Sequence, residues 1–177
     1  MYQIGDVVMY GMTGACRVEG ITEQSLPGTT NEQLYYTLTP VYQSQCTIRT
    51  PVDNKKVAIR SVISRDEAER LIDMIPSMQP DPCVDKANSE LMEHYMSMLK
   101  AHNCGELIEL TMSIYAKKRE LEGSKRKFGV VDERFLRQAE DLLFGELAVA
   151  LDVPKGEVPS YIASRVEATD YMRGGEQ

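Results

Sequence analysis

Tyr2-Gln-Ile-Gly-Asp-Val-Val-Met-Tyr-Gly-Met-Thr-Gly-Ala-Cys-Arg-Val-Glu-Gly-Ile21 carries two strand signals around a glycine-rich turn. Val7, Val8, Met9 and Tyr10 form a short apolar run of strand type, and Gly11-Met-Thr-Gly14 interrupts it. Beyond the break, Cys16 and Val18 fall on one face and Arg17 and Glu19 on the other. That is the period-2 alternation of a half-buried strand. Gly5-Asp6 is a turn signal ahead of the first run. The stretch predicts a chain that opens as a small curled sheet.

Strand chemistry continues to about residue 63. Pro27-Gly-Thr-Thr-Asn31 is a loop of breaker residues. Leu34-Tyr-Tyr-Thr-Leu-Thr39 sets Leu34, Tyr36 and Leu38 against Tyr35, Thr37 and Thr39. Cys46-Thr-Ile-Arg-Thr50 sets Cys46, Ile48 and Thr50 against Thr47 and Arg49. On these faces Cys16 and Cys46 are expected to be buried as small hydrophobes. Pro51 stops regular pairing or marks an edge, Asp53-Asn54 is a turn, and Val57-Ala-Ile59 is a last short strand. Short strands at this density predict a small antiparallel barrel of SH3 or Tudor type.

At Ser64 the period changes. Ser64-Arg-Asp-Glu67 is a capping box, and Ala68, Leu71, Ile72 and Ile75 recur at helical spacing. Pro76, Pro80 and Pro82 make residues 76–84 an extended linker. From Asp85 onward the pattern is helical. One stripe holds Leu91, Tyr95, Met98 and Leu99. A second, from Leu107 to Tyr115, ends near Gly123. A third follows Asp132 as a candidate N-cap, with Phe135, Leu136, Ala139, Leu142, Leu143 and Leu147. Pro154 and Pro159 flank a last short helix with Tyr161, Ile162 and Val166, and residues 168–177 form a polar tail. The fold class expected is α+β in two domains: a β module over 1–63 and an all-α bundle over 64–177.

The chain has 177 residues, of which 42% are hydrophobic and 27% charged, the balance of a folded soluble protein. No apolar run is long enough to span a membrane. The N-terminus lacks a charged segment followed by a long apolar one, which argues against a secretion signal. Four cysteines, Cys16, Cys46, Cys83 and Cys104, lie too far apart for a compact disulfide framework or a C-x-x-C metal site. A reducing, cytoplasmic compartment fits that usage. The net charge of −7 argues against a protein coated in nucleic acid. Residues 1–65 carry 6 basic and 5 acidic groups and residues 66–177 carry 14 and 22, so the acidity lies in the helical part. A basic cluster lies there too: Lys117, Lys118, Arg119, Lys125, Arg126 and Lys127, with Arg134 and Arg137 beyond. Such a patch can meet phosphate through short-range contacts or remain a solvated helix end.

Enzymatic chemistry has no foothold. His94 and His102 share a predicted helix without a carboxylate at ligand spacing, and His102-x-Cys104 supplies two ligands, which make no metal site. Nucleotide-binding glycine loops and the G-x-S-x-G elbow are absent from the sequence. No cofactor and no small-molecule substrate are expected. Arg49 stands apart. It lies on a candidate edge strand two residues before Pro51, where exposed backbone and a charged fork together suit pairing with another protein. Pro51, Lys55 and Lys56 would protect that edge from unwanted partners.

Ile4-Gly-Asp-Val-Val-x-Tyr10, Gly14-Ala, Val18-Glu-x-Ile21 and Thr47-Ile-Arg-Thr-Pro-Val52 together resemble the N-terminal module of CarD/CdnL-type bacterial transcription regulators, a module also similar to one in transcription-repair coupling factor. Tyr95, Leu99, Gly105-Glu-Leu107 and Phe144-Gly-Glu-Leu-Ala148 resemble the family's helical domain in order and spacing, so the likeness runs over residues 2–166. It implies a Tudor-like module that binds the β subunit of bacterial RNA polymerase through Thr47, Ile48, Arg49, Thr50 and Pro51. It also implies a non-enzymatic protein whose helical domain touches promoter DNA at the upstream edge of the melted region and modulates the open complex. A second family arginine falls at Gln24 here. The family's wedging tryptophan falls at Leu91, which can also be core packing against Tyr95, and Met92, Glu93 and His94 follow instead of basic residues. The DNA candidates are therefore Lys117, Lys118, Arg119, Lys125, Arg126 and Lys127, with Leu91 as the wedge position. The alternative is a protein-interaction adaptor on the polymerase that does not bind DNA.

Overall fold

The computed structural model describes residues 1–25, 32–43 and 45–174, with side chains described to residue 168. The chain divides into two compact units, Met1–Val62 and Ile63–Gln177.

The first unit is one antiparallel sheet of β1 (Val7–Tyr10), β2 (Gly14–Ser25), β3 (Glu32–Pro40), β4 (Ile48–Pro51) and β5 (Ile59–Ser61). Its strand order is β4-β3-β2-β1-β5. The opening stretch forms β1 and the start of β2, paired with Val8 opposite Cys16 and Tyr10 opposite Gly14. Gly11 makes the intervening turn possible. It sits at φ +46°, and a Cβ there would lie 2.7 Å from Val57 Cγ1. Val8, Cys16, Val18, Tyr36 and Leu38 form the core of the sheet. The alternation expected of β2 holds until a bulge between Val18 and Gly20. The extra residue re-aims the strand so that Ile21, opposite Tyr36, still packs on the core. Tyr2 fastens the N-terminus, its backbone N–H donating to the Tyr36 hydroxyl at 2.8 Å.

Three expectations for this unit need correction. The sheet is open rather than a closed barrel: β4 pairs only with β3, β5 only with β1, and no described ladder joins the two ends. The last strand is Ile59–Ser61, not Val57–Ile59; Ala58 only accepts from the Gly11 N–H across the turn. Cys46 is exposed rather than buried, because Gln43 N–H to Pro40 O and Cys46 N–H to Gln43 O fold residues before β4 into turns. The expected Pro27–Asn31 loop lies outside the described residues.

The second unit contains α1 (Arg65–Met74), α2 (Asn88–Lys100), α3 (Cys104–Glu122), α4 (Val130–Leu151) and α5 (Val158–Gly174). Ser64 caps α1, its hydroxyl accepting from the Glu67 N–H at 3.1 Å, but the reciprocal half of the expected capping box does not form, because both Glu67 carboxylate oxygens accept from Arg70. Asn103 caps α3 by accepting from the Gly105 N–H. The core joins Leu71 and Ile72 of α1, Leu91, Tyr95 and Leu99 of α2, Leu107, Leu110 and Ile114 of α3, and Phe135, Leu142 and Leu147 of α4. Each such side chain contributes roughly 1.5–3 kcal/mol by leaving water. The proline-rich segment is packed down rather than free: Cys83 is buried and the Ser113 hydroxyl donates to the Asp81 carbonyl. Three boundaries differ from expectation. α2 begins at Asn88 rather than Asp85. α4 begins at Val130 with Gly129 as N-cap, which places Asp132 inside its first turn. α5 is described as helix to Gly174, beyond the expected start of a polar tail at 168.

Candidate functional site

β4 is an edge strand. It pairs with β3 with Thr37 opposite Arg49 and Tyr35 opposite Pro51. The Val52 N–H donates to the Leu34 carbonyl at 2.9 Å. In an antiparallel ladder the bonded pairs recur every second residue, so Thr50 and Ile48 also turn their backbone groups toward β3. Arg49 therefore turns its N–H and C=O to the open side. Pro51 has no N–H, and its carbonyl accepts from Asn54 across the following turn. The free edge thus narrows to the backbone of Arg49, with Thr47 preceding it, and is too short to recruit a long foreign strand.

The side chains sort by face. Arg49 is exposed, and no described residue forms an ion pair or hydrogen bond with its guanidinium. Thr47 is exposed as well, and Pro51 is half-buried opposite Tyr35. Ile48 packs on the sheet core. Thr50 is buried, and its hydroxyl accepts from Asn54 Nδ2 at 2.8 Å, so it shapes the turn instead of the docking face. Gln24, opposite Gln33, lies on the same face of the sheet as Tyr35, Thr37 and Arg49. The position that the resemblance gives to a second arginine is thus a neutral amide on the Arg49 face.

In the helical unit the structure removes two of the predicted DNA contacts from the surface. Lys117 is 7% exposed, and its ammonium lies 2.9 Å from Asp132 Oδ1, itself buried. The same oxygen accepts from the Tyr95 hydroxyl at 2.9 Å. This buried triad ties α2, α3 and α4 together. Burial, and then the bond to Asp132, hold the Tyr95 hydroxyl well above its ordinary pKa. Asp132 sits against the N-cap so closely that a Cβ at Gly129 would lie 2.9 Å from its Oδ2. The basic neighbours of Lys117 in sequence suggest a place in the patch; the 3.6-residue period instead turns it inward with Ile114 and Leu121. Leu91 is 1% exposed and belongs to the core.

Lys118, Arg119, Lys125, Arg126 and Lys127 remain exposed, running from the last turns of α3 into the α3–α4 loop. The Lys118 ammonium stands 5.8 Å from the Phe128 ring centre. Arg126 makes only a loose, exposed 3.8 Å contact with Asp85. Arg134 is exposed one turn into α4 beside Glu133, which pairs with Arg137. Val130, 84% exposed, stands between this loop and Arg134. Sequence reasoning missed it, because an apolar residue ahead of a helical stripe looks like part of that stripe. Among the described residues no group of three or more His, Cys, Asp or Glu side chains is placed to hold a metal ion, and no helix is long and apolar enough to cross a membrane.

Residues 2–63 match the family model of the CarD-like/TRCF RID domain. The match covers β1 to β5, the whole of the sheet that presents Arg49.

Proposed function

From a CarD-like RNA polymerase-interacting domain over residues 2–63, we propose that the protein regulates transcription by docking on the polymerase β subunit through the β4 edge. Arg49 supplies both halves of the contact, an outward backbone pair and a charged fork, and Thr47 and Pro51 flank it. The observation that carries this reading is the coincidence of the family match with an open edge at which Arg49 has no described partner. Arg49→Glu reverses the charge without touching the Thr50 and Ile48 bonds to β3. It should abolish recovery of the polymerase with the tagged chain; undiminished recovery would overturn the docking site.

The helical unit then rests on promoter DNA through Lys118, Arg119, Lys125, Arg126 and Lys127. These long cations suit phosphate contacts, which position a protein without reading sequence. Docking on polymerase raises the effective concentration of so weak a contact, and the consequence is a change in open-complex lifetime. Val130 offers an apolar contact to the groove that Leu91, locked in the core, does not. The wedge position of the resemblance is thereby replaced by a residue of the α3–α4 junction.

A second reading keeps the polymerase contact and removes the DNA. The internal use of Lys117 and the acidic balance of the helical part favour it. Titrating salt against a forked promoter fragment, with polymerase present, separates the two. Binding that weakens steeply with salt belongs to the first reading. An unchanged footprint with and without the protein at low salt belongs to the second.

A further inference from the structure

We infer that the helical unit carries a groove for an acidic, helix-forming protein segment with one large apolar anchor, a site that does not depend on the polymerase reading and shares only Lys118 and Arg119 with the DNA reading. Its deep end, about 230 Å³, lies between α3, α4 and α5, among Ile108, Leu143, Phe144 and Ile162. Ile75, Met112 and Tyr115 line this end and also the larger continuation, about 450 Å³, that runs out to Lys118, Arg119 and Glu122. The two together form one track along α3, apolar at its floor and charged at its mouth.

The dimensions of the deep end and the charge of the mouth together choose the occupant. The deep end is smaller than the roughly 300–1,000 Å³ of pockets that hold a drug-sized molecule, and it takes a single large side chain. The continuation of about 450 Å³ is lined by Lys118, Arg119 and Glu122, so the charge at the mouth decides the rest. Such a buried anchor is the usual centre of a protein–protein contact. Tyr115 is 42% exposed and Met112 half-buried, so the unit's own elements leave the wall of this groove uncovered. The Tyr115 hydroxyl donates to Glu140, which fixes the ring as that wall. Ile108, Met112, Tyr115 and Arg119 follow one another at helical spacing on a single face of α3. At ~1.5 Å per residue, Met112 and Arg119 are separated by ~10 Å along the axis. A partner helix lying along the track has the same pitch. With its anchor at position i opposite Met112, a carboxylate at i+7, ~10 Å further along, comes within reach of Arg119 and the adjacent Lys118.

Charge complementarity sets the sign. Neither Lys118 nor Arg119 forms an ion pair with a described residue, and Glu140 is already engaged by Tyr115. Glu122 at the far rim, and Glu140, still a carboxylate while accepting from Tyr115, oppose an acidic partner, against these two cations. A duplex offers no side chain to fill the deep end, so DNA competes for the two cations without occupying the groove.

Selection of a displayed library of amphipathic helical peptides on the immobilised full chain tests this. The expected enrichment is one Leu, Phe or Trp with Asp or Glu seven residues later. Peptides so selected should lose more than about tenfold in affinity on Met112→Glu and on Arg119→Glu, and bind unchanged to a chain with Lys125, Arg126 and Lys127 all changed to Ala. Arg119→Glu lies on exposed surface and keeps the test valid if Met112→Glu unfolds. Absence of an enriched pattern, enrichment of basic peptides, or equal binding to Arg119→Glu overturns the inference. Self-association of the wild-type chain that Met112→Glu abolishes would assign the groove to a second copy and overturn it equally. None of these readouts involves polymerase or promoter DNA, so failure here leaves the docking reading untouched.

Discussion

Burying Lys117 and Asp132 together takes two charges out of water at a cost of several kcal/mol per ion, which only a close, fully bonded pair offsets. Here one carboxylate oxygen receives both the ammonium and the Tyr95 hydroxyl. Lys117→Met should therefore cost about 3–5 kcal/mol by leaving Asp132 uncompensated, whereas the double change Lys117→Met with Asp132→Leu should recover part of that loss; urea unfolding of the three chains measures it. A second residue-scale consequence lies in the sheet. Burial, with a smaller contribution from Cys46, pushes the Cys16 thiol from 9.0 up to about 11. The native state holds that proton where the unfolded chain has released it, so this contribution to stability is present below pH 9 and is lost as pH rises toward 11. Cys16→Ala should flatten the fall in stability across that window, as denaturant midpoints at pH 8.5 and 10.5 would show. Cys16 was legible as a core residue because Arg17, Val18 and Glu19 alternate after it. Lys117 was not, because the run Lys-Lys-Arg hides which of three consecutive cations the helix turns inward.

At the scale of elements, the helix ends read most clearly. Ser64 and Glu67 announce α1 in sequence, and the Ser64 half of their capping box is made in the structure. Replacing Ser64 with Ala should cost about 1 kcal/mol, seen as a lower melting temperature of the full chain, while Glu67 keeps its pairing with Arg70 on the surface. The start of α4 was harder to read. Asp132 has the chemistry of an N-cap, but the cap is Gly129, with Asp132 three residues inside, where its carboxylate serves the buried triad. Gly129→Ala pushes a methyl group against Asp132 Oδ2 and so disturbs cap and triad together. Its melting temperature should fall further than that of Ser64→Ala; an equal or smaller fall would mean that the triad shifts without cost. The edge character of β4 was suggested by Pro51 and follows from pairing on one side only. Closure of the sheet was not legible, since strand count and spacing are the same for an open sheet and a barrel; the ladder that would join β4 to β5 is a long-range property.

For the whole molecule, charge is the deciding quantity. A chain of net charge −7 gains nothing from long-range attraction to a polyanion, so any DNA contact must come from the few exposed cations and must vanish as salt rises. Composition placed the basic cluster correctly in the helical part. It could not say how many of the cluster's charges reach solvent, and the burial of Lys117 lowers that number. If Lys125, Arg126 and Lys127 each neutralise one phosphate, changing all three to Ala should reduce the slope of log K against log salt by about 2.7 on a duplex-flanked fork, at ~0.9 per phosphate. The polymerase must be present in this titration, and Arg49 left intact, so that the chain stays docked. A slope unchanged by the triple variant would mean that the loop does not touch DNA. A steep wild-type slope that flattens, with polymerase recovery preserved, would assign DNA contact to the helical unit and docking to the sheet. Val130→Ser extends the same titration to an uncharged contact: it should weaken binding at every salt concentration and leave the slope as in the wild type, because removing an apolar contact releases no counterions.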